Sequence, residues 1–196
     1  MKSIITGGNA TFYLRKSNVS YYKCDDTGTI FAGKELDQSN MVGGTGEEQR
    51  NSEHNPTRLQ RINRNGFTLD FGCGKGTFVD YLKANGVRAI GYDAHSEDFN
   101  KPPLKDTYDT ITCIEVIEHL YAPFNEFKVM YDSLNEGGVL YIESSFADWV
   151  DKDHPYLNPK IGHGCIFSHK GLTEVLTKVG FKEGQHINKN VRIYIK

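Results

Sequence analysis

The chain lacks a long apolar run. No stretch of its 196 residues approaches the length of a membrane span, and the first ten, MKSIITGGNA, lack the apolar core of a secretory leader. It also lacks an excess of either charge. Lys and Arg number 23 against 25 Asp and Glu, so nothing global attracts a polyanion such as nucleic acid. Cysteine is sparse and scattered: Cys24, Cys73, Cys113 and Cys165 include no Cys-x-x-Cys pair, which argues against both a zinc site and a disulfide framework. Cys73 and Cys113 fall in apolar, strand-like contexts where a free thiol serves as a small core residue. With 38% hydrophobic and 24% charged residues, the expectation is one globular domain plus an appended segment, soluble and cytoplasmic, with reduced thiols.

What is present centres on residues 67–76, FTLDFGCGKG. Phe67, Leu69 and Phe71 alternate with Thr68 and Asp70 and then stop at Gly72, Gly74 and Gly76, the pattern of a buried strand turning sharply into a helix. Glycine permits positive φ and a close approach of backbone to ligand, so the turn is shaped to hold something. A dinucleotide fingerprint needs its third glycine three places after the second, where this chain has Thr77, and that counts against a nicotinamide cofactor. Residues 77–83 continue as a helix with Phe78, Val79 and Leu82 on one face, Asn85-Gly86 ends it, and residues 87–93 form a second strand. A strand-helix-strand unit predicts a right-handed crossover with a ligand crevice at the carboxyl ends of the strands, where the glycine turn and Asp93 both fall. Asp93 is placed either to accept hydrogen bonds from two vicinal ribose hydroxyls or to cap the turn that follows it.

The flanking regions read less regularly. Residues 1–46 carry three short strand-like runs separated by turn residues and predict a small hairpin cover segment, followed by a linker and short helix over 47–66 and the main domain over 67–196. The stretch 37–57 is poor in apolar residues and reads as a disordered or lid-like linker. In RLQRINR, Leu59 and Ile62 form an apolar edge, while Arg58, Arg61 and Arg64 share the opposite side as a solvated face or, alternatively, an anion site. After residues 139–144, a buried strand, residues 146–169 hold the single Trp and His154, His163 and His169, and read as a segment covering the crevice.

Two stretches carry a resemblance. LDFGCGKGTFVDYLKANGVRAIGYDAH is similar to the first motif and second strand of the class I S-adenosylmethionine-dependent methyltransferases, and residues 108–145 resemble their fourth strand, following helix and fifth strand. The phrase Glu115-Val116-Ile117-Glu118-His119-Leu120 especially resembles the small-molecule subset that includes the ubiquinone-type O-methyltransferases. The likeness covers about residues 60–196.

The resemblance implies an α/β fold: a Rossmann-like, doubly wound sheet of seven strands, mostly parallel, with an antiparallel last strand inserted between the fifth and sixth. The third strand would be shortened, because only AHSEDFNKPPLKDT separates Asp93 from Tyr108 and Pro102-Pro103 limits regular structure there. It implies S-adenosyl-L-methionine as cofactor and S-adenosyl-L-homocysteine as product. Asp70, Gly72, Cys73, Gly74 and Gly76 would hold the methionine part, Asp93 the ribose and Ala94 the adenine edge. Ile114, Glu115 and Val116 would run along the cofactor, and Phe99 or Asn100 would cover the adenine. Asp70 would otherwise cap the glycine turn.

The acceptor is expected to be a small molecule methylated on oxygen or nitrogen. A nucleic-acid substrate is disfavoured by the absence of an Asn/Asp-Pro-Pro-Tyr-like sequence after the fourth strand. Candidate proton acceptors are His163, His154 and His119, with Tyr156 as an orienting group and His169 a further candidate; each histidine could instead be a capped or surface residue, and His119 could fasten the start of the following helix. Glu115, Glu118 and His119 could hold a divalent ion, but without a visible second cluster no metal is assigned. YYKCDDTGTIF, 21–31, resembles an N-terminal zinc knuckle found before some of these domains. Only Cys24 remains of the pair, so a metal-free hairpin is expected. A non-catalytic cofactor-binding or interaction module of the same fold is the alternative function.

Overall fold

The alternation at 67–71 forms a strand because its β-branched and aromatic side chains pack on both faces of a covered sheet, with Thr68, Leu69 and Asp70 all buried. In the computed structural model, which describes residues 1–33, 36, 52–101, 107–120 and 122–196, the chain runs β1 (Ala10–Lys16), β2 (Val19–Cys24), β3 (Ile30–Ala32), α1 (Asn55–Leu59), β4 (Phe67–Phe71), α2 (Thr77–Ala84), β5 (Arg88–Tyr92), β6 (Tyr108–Ile114), α3 (Pro123–Asp132), β7 (Leu134–Glu143), β8 (Cys165–Ile166), α4 (His169–Val179), β9 (Lys182–His186) and β10 (Val191–Ile195).

The larger sheet has the order β5-β4-β6-β7-β10-β9. Pairings β4–β5, β4–β6 and β6–β7 are parallel, and β10 lies antiparallel between β7 and β9. The antiparallel insertion therefore appears where the resemblance put it. Six strands are present among the described residues instead of seven. None of the described residues between β5 and β6 forms a strand, and Pro102-Pro103 lies in the undescribed stretch 102–106. Most of the linker-like stretch 37–57, residues 37–51, likewise lies outside the described residues.

Helix α2 lays Phe78, Val79 and Leu82 on the sheet, each burial stabilising by roughly 1.5–3 kcal/mol. Helix α4, capped by Ser168, whose hydroxyl accepts the Gly171 N–H at 3.0 Å, buries Leu172, Val175, Leu176 and Val179 in a separate cluster with Leu69, Ile111 and Leu140. Strand β9, at the edge, is exposed along its whole length, and its charged and polar side chains disfavour pairing with another chain.

The N-terminal strands form more than a hairpin. β1, β2 and β3 are antiparallel neighbours, and β3 pairs with β8, which comes from the segment after β7, to make a second sheet β1-β2-β3-β8. Cys24 and Phe31 of this sheet belong to the same apolar cluster as Leu69, Ile111 and Leu172. The turn before β3 is also stitched to the start of α4 at Ser168, whose hydroxyl donates to the Thr27 carbonyl at 2.6 Å and whose N–H donates to Thr29 Oγ1 at 3.1 Å.

That stitch leaves no room beside the cap. A Cβ on Gly171 would collide with Thr29 Oγ1. Alanine is the better helix former by about 1 kcal/mol, but overpacking in a closed core costs about 1–3 kcal/mol, so steric crowding should win. Gly171→Ala is expected to lower unfolding stability by about 1–2 kcal/mol in a denaturant titration; an increase would show that α4 and the turn before β3 are not locked at this point.

Candidate functional site

The loop after β4 takes its shape from three left-handed backbones, Gly72 (φ 78°), Gly74 (φ 55°) and Gly76 (φ 82°). The N–H groups of Gly72 and Cys73 both reach the Tyr92 carbonyl, at 2.7 and 3.1 Å, which holds the loop over the end of β5. The Gly74 N–H donates to Asp93 Oδ2 at 2.9 Å, and the His95 N–H donates to Asp93 Oδ1 at 2.8 Å. Asp93 thus does cap its own turn, and it also clamps the glycine loop. Each carboxylate oxygen keeps a further acceptor site for a hydroxyl.

Two glycines are required by what lies on them. A Cβ on Gly72 would strike Val116, and one on Gly76 would stand 2.6 Å from the Phe99 ring. Val116 and Phe99 therefore flank the loop from the ends of β6 and from the β5 turn, beside the partly buried Ile114. Ala94 is exposed next to Asp93, and Cys73 is buried with its sulfur against Gly91.

Below the loop, Asp70 is buried and accepts the Thr112 hydroxyl at 2.7 Å. Burial pushes its carboxyl up to about 7, helped by the charge of Asp93 and opposed by the Thr112 hydrogen bond and the Arg58 guanidinium. Arg58 comes from α1. Instead of lying on a solvated face with Arg61 and Arg64, it is buried and forms a two-pronged pair with Glu143 at the end of β7, at 2.9 and 2.6 Å, while Arg61 and Arg64 remain exposed. Tyr141 donates to the same carboxylate at 2.9 Å, and Arg58 holds the Glu143 carboxyl below its ordinary range despite burial. Leu59 and Ile62 do pack inward, against Phe78 and Leu82.

On the other side of the end of β6 the chain turns through Glu115, whose φ of 54° is uncommon for a residue with a side chain and costs roughly 1–3 kcal/mol. His119, which could have fastened the start of the following helix, lies instead in a single 3-10 turn, Ile117–His119, and α3 begins only at Pro123, which suits the first turn of a helix. This turn buries Glu118. Its Oε2 accepts the Ser144 hydroxyl at 3.0 Å, while Oε1 is buried with no hydrogen-bond partner.

Tyr156, from the segment after β7, places its hydroxyl 3.0 Å from Ser144 Oγ and 3.2 Å from Glu115 Oε2. Burial and the charges of Glu118 and Glu115 push its hydroxyl well above the ordinary phenol value, so it remains a neutral donor that orients and does not accept protons. His163 is buried behind it. Its Nδ1 lies 2.7 Å from the Tyr156 carbonyl, and its own carbonyl accepts the Tyr21 hydroxyl of β2 at 2.9 Å. The His163 and His119 rings meet edge to face at 4.9 Å.

The structure thus brings His119 and His163 together. It does not bring His154, which is half-buried on the outer part of the segment with its Nδ1 accepting the Tyr156 N–H at 3.2 Å. His169 lies elsewhere, between Asp148, Phe146 and Arg192. Among the described residues, Glu118, His119 and His163 each present one atom that could ligate a metal, all within 4.8 Å of one another. Glu115, which the sequence groups with Glu118 and His119 as a possible ion site to which no metal is assigned, instead accepts the Tyr156 hydroxyl, and His163 stands beside the other two.

Residues 47–185 match the methyltransferase domain family. A ubiquinone biosynthesis O-methyltransferase of Aliivibrio fischeri is 25% identical over 46% of this chain and 51% of the relative, and one of Histophilus somni is 27% identical over 49% and 56%. The chain spans about half the length of these curated relatives. Among solved structures, Burkholderia thailandensis 1,6-didemethyltoxoflavin-N1-methyltransferase with bound 1,6-didemethyltoxoflavin and S-adenosylhomocysteine aligns with a TM-score of 0.62 at 14% identity, covering 95% of this chain and 99% of that one. Human N-acetylserotonin methyltransferase in complex with SAM gives 0.61 at 14% identity over 83% and 59%.

The raised Asp70 pKa has a stability consequence. With a folded value of about 7 against 3.8 for the free carboxyl, the folded state holds the proton more tightly, so this group's contribution is fully present below about pH 4 and is lost as pH rises toward 7. Asp70→Asn should flatten that part of the stability profile, by up to about 4 kcal/mol between pH 4 and 8. Parallel profiles for the two proteins in urea titrations would show that Asp70 is ionised throughout.

Proposed function

The chain belongs to the methyltransferase domain family, and on that premise we propose that it transfers the methyl group of S-adenosyl-L-methionine to an oxygen or nitrogen of a small-molecule acceptor. S-adenosyl-L-homocysteine is the other product. The observation that carries this reading is the clamp of Asp93 on the Gly74 amide, which joins a glycine floor to a carboxylate with spare acceptor sites at the carboxyl ends of adjacent parallel strands.

When bound, the cofactor supplies a sulfonium whose methyl group is already activated, and the protein's part is binding, alignment and exclusion of water. The S–CH3 bond breaks as the O–CH3 or N–CH3 bond forms, and the acceptor's proton must leave. The Gly72–Gly76 backbone and Asp70 take the methionine portion, Asp93 the ribose hydroxyls and Ala94 the adenine edge, with Phe99 against the loop. Ile114, Glu115 and Val116 line the side of the cofactor at the end of β6.

The acceptor's proton leaves toward the Glu118–His119–His163 cluster, of which His119 is the partly exposed member. Tyr156 keeps Glu115 and Ser144 in place and so holds the covering segment over the crevice. His154, outside this cluster, has no part in the transfer. A non-catalytic binding module would need the loop and Asp93 but has no use for a buried carboxylate and two imidazoles beside them, and that cluster favours the enzyme. A cytoplasmic location accords with this reading; among the described residues no helix is long and apolar enough to cross a membrane.

Gly74→Val tests the placement, because a branched side chain is strained at φ 55° and would enter the ligand's space. Calorimetric titration with S-adenosylmethionine and S-adenosylhomocysteine should show loss of binding of both, with the far-ultraviolet circular dichroism unchanged. Asp93→Ala should weaken both by about tenfold or more, the loss of roughly 1.5–3 kcal/mol for hydrogen bonds to a charged group. Unchanged affinity in the two variants would put the cofactor elsewhere.

A further inference from the structure

Arg192 of β10 is a buried cation without an anion against it. The residue is 5% exposed, and its hydrogen bonds run from Nη1 to the Asn188 and Val191 carbonyls and from Nη2 to the His169 ring, none of them to a carboxylate. Nε is buried with no hydrogen-bond partner. A guanidinium held in this way needs neutral or electron-rich neighbours, because a second positive charge in contact with it would meet little screening.

Its place is the neck of the covering segment. The segment leaves the body of the protein at Phe146 and returns at His169, and its two ends are tied where the Ala147 N–H donates to the Phe167 carbonyl at 2.8 Å. The Phe146 and His169 rings meet at 4.3 Å, and the Arg192 guanidinium lies over the Phe146 ring, 5.5 Å from its centre. One side chain of β10 thus touches the first and the last residue of the segment.

His169 makes this contact as a neutral ring. Arg192 Nη2 stands 2.7 Å from Nε2 and 3.0 Å from Nδ1, and a neutral imidazole offers that donor a lone pair on one of the two nitrogens. A protonated ring offers none and would press one cation against another. A second resting place lies on the other side: Asp148 Oδ2, which accepts the His169 N–H at 2.8 Å, is 3.7 Å from Nδ1. The remaining polar groups around the ring have partners of their own. His186 and Glu183 on β9 pair with each other, the Lys170 ammonium donates to the Asp26 carbonyl, Glu174 pairs with Lys178, and the Lys189 carbonyl lies 3.2 Å from His169 Nε2. Burial first, and then the Arg192 charge, hold the His169 imidazole below its ordinary range against the pull of Asp148.

We infer that Arg192 and His169 are positioning residues for the transfer: they form a clasp that shuts the neck of the covering segment while His169 is neutral and opens it when His169 gains a proton and turns to Asp148. The clasp itself follows from these contacts. Its effect on the reaction rests on the methyl-transfer reading, since the segment it closes carries Tyr156 and His163. The folded ring binds its proton less readily than a free imidazole, so the contribution of the clasp is whole above pH 6.5 and is lost as pH falls through the lower folded value.

The test uses the full-length protein, whose single tryptophan, Trp149, is carried by the same segment. Titration of the His169 imidazole by nuclear magnetic resonance should give a midpoint below 6.5. Arg192→Gln should raise that midpoint and Asp148→Asn should lower it further, so the second variant still decides if the first fails to fold. Trp149 emission should change with the same midpoint as His169. His169→Gln, which keeps a neutral acceptor for Arg192, should stay folded and abolish the change. A wild-type midpoint at or above 6.5, or an emission change that persists in His169→Gln, would overturn the clasp. These readouts need no cofactor. S-adenosylmethionine affinity, compared between wild type and His169→Gln at one pH so that Asp70 titrates alike in both, reads the crevice separately: the clasp predicts equal binding, and loss of binding in the variant alone would contradict it. Absence of binding in both proteins would count against the methyl-transfer reading and not against the clasp.

Discussion

The hydrogen bond from the Gly74 amide to Asp93 is the contact on which the site depends. It joins the ends of two adjacent parallel strands, β4 and β5, across a loop that only glycine can follow at these dihedrals. If Asp93 could not reach the loop, the Gly74 N–H would lose its acceptor and the middle of the loop its tie to β5, while the Gly72 and Cys73 N–H groups would stay on the Tyr92 carbonyl. The same carboxylate caps the following turn through His95, so the position of the loop is set by β5 as much as by its own sequence. A ligand that bonds Asp93 meets an acceptor already held in place, which lowers the ordering cost of binding.

A second set of contacts closes the far side. β8 is cut from the segment after β7 and paired with β3, so the N-terminal sheet grips the segment that carries Tyr156 and His163. Tyr21 reaches the His163 carbonyl from β2, Tyr156 reaches Glu115 and Ser144, and Gly164 donates to the Glu118 carbonyl at 2.9 Å. Residues far apart in sequence thus fix one buried carboxylate and one imidazole tautomer. The left-handed backbone at Glu115 belongs to the same arrangement, since it turns the chain from the end of β6 into the 3-10 turn that buries Glu118.

What was legible in the sequence is what local chemistry dictates. The glycine spacing, the amphipathic run of α2, the carboxylate at the end of β5 and the antiparallel last strand each depend on residues a few positions apart or on a shared family order. Arg58 was misread because its helical spacing with Arg61 and Arg64 looks like a solvated face, while its partner Glu143 lies 85 positions away. His163 could be suspected only as one histidine among several. Its pairing with Glu118 arises from β8, a two-residue strand without a hydrophobic period to announce it. The shortened third strand rested on Pro102-Pro103, which lies outside the described residues; within them the Phe99 carbonyl accepts the Asp93 N–H at 3.0 Å, a turn that no periodicity announces.

The most direct measurement of the central claim is a crystal structure of the protein grown with S-adenosylhomocysteine. The account requires both ribose hydroxyls on the Asp93 carboxylate, the homocysteine chain over Gly72–Gly76, and the sulfur on the side of the crevice that opens toward His119. Ligand density anywhere else, or in the crevice with the ribose turned away from Asp93, would contradict it.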